Sequence, residues 1–266
     1  VSTLTDRLRG ILKTEPPAAI AAGRALTRTN IETALSGEWR DYRSGPCFVV
    51  EQRRDRTTIH GSQTVGTMAE SVAGASAEAQ MIAGSVSAGP PFMFFDLETT
   101  GLSGGAGTYA FLVGCAWFDG GGGLVIRQFI LSRVGDERTL LAAFATELAQ
   151  AGALVSFNGK SFDAPLLETR YLFHRLEWIG GRLPHVDVLH PARRFWGDES
   201  SSCSLGALER QILGVRRSGD VAGSEIPARY FQFVRSGDAQ PLREVLEHNR
   251  LDLLSLAGLT ARLLDL

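Results

Sequence analysis

Residues Tyr109 to Phe118, YAFLVGCAWF, are the longest nearly apolar run in the chain. Ten residues are too few for a membrane-spanning helix, which needs about 20, and they fit a strand buried on both faces. Such a strand needs a sheet around it, and the flanking segments supply one. Apolar strands are expected near 92–96, 109–118 and 124–132, then a helix near 137–150, a strand at 153–157 and a helix near 164–176. Helical segments follow between 204 and 236, and a last helix fills 241–265. Three strands followed by alternating helix and strand specify an α/β fold with a mixed sheet.

The segment before residue 91 reads differently. Leu4, Leu8, Ile11 and Leu12 recur at helical spacing within residues 1–40, Pro16-Pro17 interrupts them, and CFVVEQRRDRTTI at 47–59 resembles a charged hairpin. From Ser62 to Pro91 the composition turns to Ala, Gly and Ser and ends on Pro90-Pro91, the pattern of a connector. These features divide the chain into an N-terminal extension with its connector, 1–90, and a main domain, 91–266.

With 266 residues and 44% hydrophobic content, the chain can bury a full core. Its opening, VSTLTDRLRGILK, lacks the layout of a secretion signal. Cys47, Cys115 and Cys203 form no CxxC pair, so neither a disulfide framework nor a zinc ribbon is expected, and a reducing cytoplasm is the expected location. A formal charge of -2 offers no global attraction for nucleic acid, so such a partner must be held locally. The arginine-rich stretch from Arg170 to Arg217 is either a phosphate-contacting rim or a solvated surface. The glycines at 101, 104, 105, 107 and 120–123 form no phosphate cradle, because no GK[ST] follows them.

Four acids at three places in the chain carry the chemistry. In FMFFDLETTG, at 92–101, alternation along a strand puts Phe94, Asp96 and Glu98 on one face. Two carboxylates in one small space repel unless a cation lies between them; the plainer alternative is a solvated loop. Asp163, at the end of NGKSFD, follows the strand 153–157 and could cap the next helix, with Pro165 in its first turn. In HNRLDLLSL, helical spacing sets Asp252 on the face of Val245, Leu256 and Leu259. A carboxylate buried there must be protonated, hydrogen-bonded or metal-bound. His248 lies one turn earlier on the same side, and a structural His–Asp pair is the competing explanation.

DLE at 96–98, NGKSFD at 158–163 and HNRLD at 248–252 occur in this order over residues 91–266. Together they resemble the DEDD (DnaQ-like) superfamily of 3′-to-5′ exonucleases on the ribonuclease H-like fold, in particular its YprB-like bacterial branch. The family presents DxE, then N-x3-[FY]-D, then an acid preceded by Tyr or His. The resemblance implies a ribonuclease H-like mixed sheet flanked by helices. It also implies two divalent ions, Mg or Mn, held by Asp96, Glu98, Asp163 and Asp252, and hydrolysis of DNA or RNA from a single-stranded 3′ end. It implies that Asp187 is structural support behind the site; Thr99, Asn158 and Lys160 are candidate substrate contacts, with Asn158 fixing its turn and Lys160 either touching a phosphate or simply solvated.

One departure concerns the base. Members with tyrosine keep Y-x3-D and members with histidine keep H-x4-D, whereas this chain has histidine at the tyrosine spacing. One residue rotates a helical side chain by about 100°. His248 is therefore either the general base that orients water or a residue behind the ligands. Two other readings share these residues: a ribonuclease H-like endonuclease, and a nucleic-acid-binding module with weak or no catalysis. The cluster PHVDVLHPARRFW offers His185, Asp187 and His190 as a weaker candidate for zinc, with Phe195 and Trp196 expected in the core.

Overall fold

The computed structural model describes residues 28–74, 88–101, 107–197 and 202–266. In chain order these form α1 (Arg28–Leu35), β1 (Glu38–Tyr42), β2 (Gly45–Arg54), the small hairpin β3 (Ile59–His60) and β4 (Gln63–Thr64), and α2 (Val65–Ala73). Then come β5 (Phe92–Thr99), β6 (Ala110–Phe118), β7 (Leu124–Ile130), α3 (Glu137–Leu148), β8 (Ala153–Ser156), α4 (Asp163–Phe173) and β9 (His185–Asp187). The helices α5 (Leu189–Trp196), α6 (Leu205–Leu208), α7 (Ile226–Ser236) and α8 (Leu242–Leu264) complete the described chain.

Seven strands form one mixed sheet in the order β1-β2-β7-β6-β5-β8-β9. β5, β6 and β7 run as an antiparallel meander, and β8 and β9 add parallel to β5. This is the α/β mixed sheet expected from the order of apolar segments, in the ribonuclease H-like form that the resemblance implies. β6 is buried from Ala110 to Ala116, as its composition requires.

Each face of the sheet is covered by helices. Met93, Phe95 and Leu97 of β5 pack with Leu140 and Phe144 of α3, Tyr171 of α4 and Tyr230 of α7. Phe92 and Phe94 point the other way, into a cluster with Met68 of α2 and Leu253, Leu256 and Ala257 of α8. Because alternate strand residues share a face, Asp96 and Glu98 continue the side of Phe94 and emerge beneath α8. The parallel pairing of β5, β8 and β9 brings their C-terminal ends to one edge, where α/β sheets commonly open a crevice.

Several expectations need correction. The hairpin is formed by β1 and β2 over 38–54, rather than 47–59, and β2 then pairs with β7 from Phe48↔Ile130 to Arg54↔Leu124. The sheet therefore runs without a break across the expected boundary at residue 90. The connector expected from Ser62 begins with a helix: Thr64 caps α2 by accepting the Thr67 N–H at 3.2 Å, and Val65, Met68 and Val72 are buried. Small residues gave this stretch a linker composition, but its apolar spacing is helical. Residues 75–87 and the helical spacing of Leu4, Leu8, Ile11 and Leu12 lie outside the described residues. Trp196 is in the core as expected, whereas Phe195 is exposed. Among the described residues no helix is long and apolar enough to cross a membrane.

Candidate active site

Asp96, Glu98, Asp163 and Asp252 converge, each from a different part of the chain except for the first two. Asp96 is half-buried, and burial together with the charges of Asp252, Glu98 and Asp163 pushes its carboxyl well above the usual range. Glu98 is raised by burial and then by the charges of Asp252, Asp163 and Asp220, with Arg217 opposing. Asp252 is also raised by burial, against the Arg217 guanidinium beside it. Asp163 is pushed up to about 7 by burial, partly offset by its backbone hydrogen bond. It is the first residue of α4 rather than its cap, which is Phe162. Four carboxylates held this way are neutralised by protons or by cations.

Raised carboxyl groups make a definite pH prediction. The folded protein binds these protons more tightly than the unfolded chain, so their contribution to stability is full below about pH 4 and is lost as pH rises through the folded values. For Asp163 that window runs from the ordinary value of 3.8 to about 7. The melting temperature of the metal-free protein should fall by several degrees between pH 5.5 and 8, and a divalent ion should reverse the fall. A metal-free melting temperature that rises over this interval would contradict the electrostatics described here.

Part of the site's support comes from residues to which the motifs assign no role. Asn249 is fully buried and donates from Nδ2 to Asp96 Oδ2 at 2.8 Å, while its Oδ1 accepts from Gln128 Nε2 at 2.9 Å. The Asn249 amide lies over Gly114, the cross-strand partner of both Asp96 and Gln128. A Cβ at Gly114 would stand 2.1 Å from Asn249 Oδ1. Gly114→Ala should therefore displace Asn249 and destabilise the fold by about 1–3 kcal/mol, the usual cost of overpacking. An unchanged urea midpoint would rule out this packing role.

Asp187 is buried and ties down the loop between β8 and α4. Its Oδ1 accepts the Asn158 N–H at 2.7 Å and its Oδ2 accepts the Lys160 N–H at 3.1 Å. Asn158 has φ 63°, a left-handed turn that asparagine tolerates. Gly159 is needed beside it, because a Cβ there would lie 2.5 Å from Ser156 Oγ. Lys160 is exposed on the same loop, and Thr99 Oγ1 donates to the Gly101 carbonyl at 3.0 Å, closing the turn after β5. His185 pairs with Ser156 Oγ at 2.7 Å, and burial lowers it to about 4; His190 is exposed. These two histidines and Asp187 do not form a metal cluster among the described residues.

On the far side of the site, His248 Nδ1 is 2.8 Å from Asp220 Oδ1 and its Nε2 is 3.4 Å from Asp252 Oδ2. The Arg217 guanidinium contacts Asp252 Oδ1 at 2.5 Å, Asp220 Oδ2 at 3.0 Å and the buried Glu209. Arg217 closes the arginine-rich stretch, but nothing in its spacing signals a partner 35 residues away in sequence. Asp220 lies in an irregular segment and carries no motif. Asn249 had a signal, because it is three residues before Asp252 and so on the same helical face.

Residues 93–264 match the family model of the RNase H superfamily, and the chain belongs to that superfamily. Among curated proteins it is similar to the uncharacterized protein YprB of Bacillus subtilis (strain 168), 40% identical over 174 residues. That match covers 62% of this chain and 40% of the relative, so the chain spans well under two thirds of that protein's length. Nucleases of the ribonuclease H-like class use divalent metal ions. The donor set here suits such ions: carboxylates whose burial needs positive charge, with Glu98, His248 and Asp252 each offering one ligand atom within 4.8 Å of the others.

Proposed function

We propose that this chain is a metal-dependent 3′-to-5′ exonuclease that hydrolyses phosphodiester bonds of DNA or RNA at a single-stranded end. The observation that carries the reading is the convergence of Asp96, Glu98, Asp163 and Asp252, all with raised carboxyl pKa values, at the C-terminal edge of the parallel strands. The ordered DxE, N-x3-F-D and H-x3-D motifs support the exonuclease subtype. Asp96, Glu98, Asp163 and Asp252 would hold the two ions, Mg or Mn. When bound, such ions supply Lewis acidity at the phosphate and acidify the attacking water.

The protein's own part is to hold these ligands still. Asn249 fixes one oxygen of Asp96, Arg217 fixes one oxygen of Asp252, and Asp187 fixes the loop that leads to Asp163. Lys160, exposed on that loop, is available to a substrate phosphate, and Thr99 and Asn158 would be further substrate contacts. All four acids lie within 91–266, so the chemistry belongs to that part of the chain.

The test uses end-labelled DNA and RNA oligonucleotides, linear and circular, with Mg or Mn. Mononucleotides should leave the 3′ end of linear strands, and circular strands should persist. Efficient cutting of circles would replace this reading with the endonuclease one, and binding without cleavage would replace it with the binding module.

A further inference from the structure

We propose that His248 is a metal ligand rather than a proton acceptor, completing with Glu98 and Asp252 a nitrogen-containing half of the site that prefers a first-row transition ion to Mg. The inference rests on the carboxylate centre proposed above and deepens it. His248 Nε2 stands 3.4 Å from Asp252 Oδ2, and one donor atom from each of the three residues lies within 4.8 Å of the other two. Donors bonded at about 2.1 Å to one ion lie about 3 Å apart when adjacent and about 4.2 Å apart when opposite. The His248–Asp252 separation falls between these values. A base serving a water on the same ion would stand one hydrogen bond, about 2.6–3.2 Å, farther out.

The other imidazole nitrogen points to the same role. An N–H at Nδ1 donated to Asp220 Oδ1, 2.8 Å away, leaves the lone pair on Nε2, the atom that faces Asp252. A carboxylate holding the far nitrogen is the recurrent support of a metal-ligating histidine. Asp220 is itself held by Arg217, whose guanidinium also takes Asp252 Oδ1 and leaves Oδ2 on the side of His248. The chain of contacts Arg217–Asp220–His248 thus aims one nitrogen and one oxygen at the same point.

The spacing explains why the role differs from the one the family pattern implies. His248 and Asp252 are four residues apart, which stacks them on one face of α8. Two ligands on a helix reach one metal ion at this same spacing in the H-E-x-x-H motif. Moving the histidine back by one residue, to the H-x4-D spacing, would turn it about 100° away. An imidazole nitrogen disfavours Mg, which keeps oxygen ligands and its waters, and favours transition ions.

The experiment loads the full chain with Mn as a paramagnetic probe and records electron spin-echo modulation. Coupling to an imidazole nitrogen is expected in the unaltered protein and should vanish in His248→Gln. Of the other four histidines, His60, His174 and His185 pair with Ser255, Glu137 and Ser156, and the exposed His190 is outside the Glu98–His248–Asp252 cluster, so loss of the signal in His248→Gln assigns it to His248. A second variant, Asp220→Asn, should weaken Mn binding by about 10–100-fold and Mg binding by less, measured by calorimetry. Mn bound without nitrogen coupling, or coupling that survives in His248→Gln, overturns His248 as a ligand and leaves the carboxylate centre standing. Equal losses of Mn and Mg affinity in Asp220→Asn also overturn it. Failure of the full chain to bind Mn at all would remove the carboxylate centre as well.

Discussion

Asp96→Asn should reduce phosphodiester hydrolysis by about a thousandfold or more, the upper range for removal of one electrostatic group from an active site, while the metal-free protein melts at a higher temperature. Both effects have one cause. Asp96 is the acid whose burial adds to repulsion from Asp252, Glu98 and Asp163, so in the absence of cations its charge opposes folding. The amide keeps the side-chain volume, and its oxygen can still accept the Asn249 hydrogen bond that Asp96 Oδ2 accepts at 2.8 Å. What the variant loses is the negative charge that draws a divalent ion into the site. Hydrolysis measured over Mg and Mn titrations, with melting recorded in chelator, checks both halves. Full activity at any metal concentration would remove Asp96 from the ligand set.

A chain that begins at Pro91 should fail to fold cooperatively, although every proposed ligand lies beyond that point. The truncation strips β2 from β7 along seven paired residues and exposes the row of β7 groups that β2 had satisfied. It also removes Ile31, Phe48, Val49 and Val50, which are nearly or fully buried. At about 1.5–3 kcal/mol for each such side chain, the loss is on the order of the whole stability of a typical domain. Loss of α2 would uncover the Leu253 and Leu256 side of α8 as well, because Val65 and Met68 pack there. Insoluble expression, or a broad and featureless thermal transition, is the expected result. A truncated chain melting as sharply as the full one, and at a similar temperature, would show the first two strands to be an ornament of the sheet.

The strands 92–99, 110–118 and 124–130 and the helix 242–264 were legible because their signals are local. Period-2 alternation put Asp96 and Glu98 on the face of Phe94, and period-3.6 spacing put His248 and Asp252 on one side of the last helix. Asp187 holds the Asn158–Lys160 loop by two backbone N–H groups. β1 was not legible: Glu38, Arg40 and Asp41 give a five-residue edge strand a loop's composition, and only pairing with β2 makes it a strand. β9 is three residues long, too short for any period, and exists through its parallel pairing with β8.

Backbone periodicity in the chain settles which residues share a face, and the cost of burying charge marks Asp252 as an acid that must be neutralised. Only the tertiary structure decided which charges meet. Arg217 and Asp220 reach the site from an irregular segment, and their contacts with Asp252 and His248 join positions 35 and 28 residues apart. Gly114 reads as an interruption in an apolar strand, yet it makes room for the amide that holds Asp96. Such contacts depend on sheet register and on where α8 crosses the strands. Both are set by packing between distant segments, which no local spacing in the chain encodes.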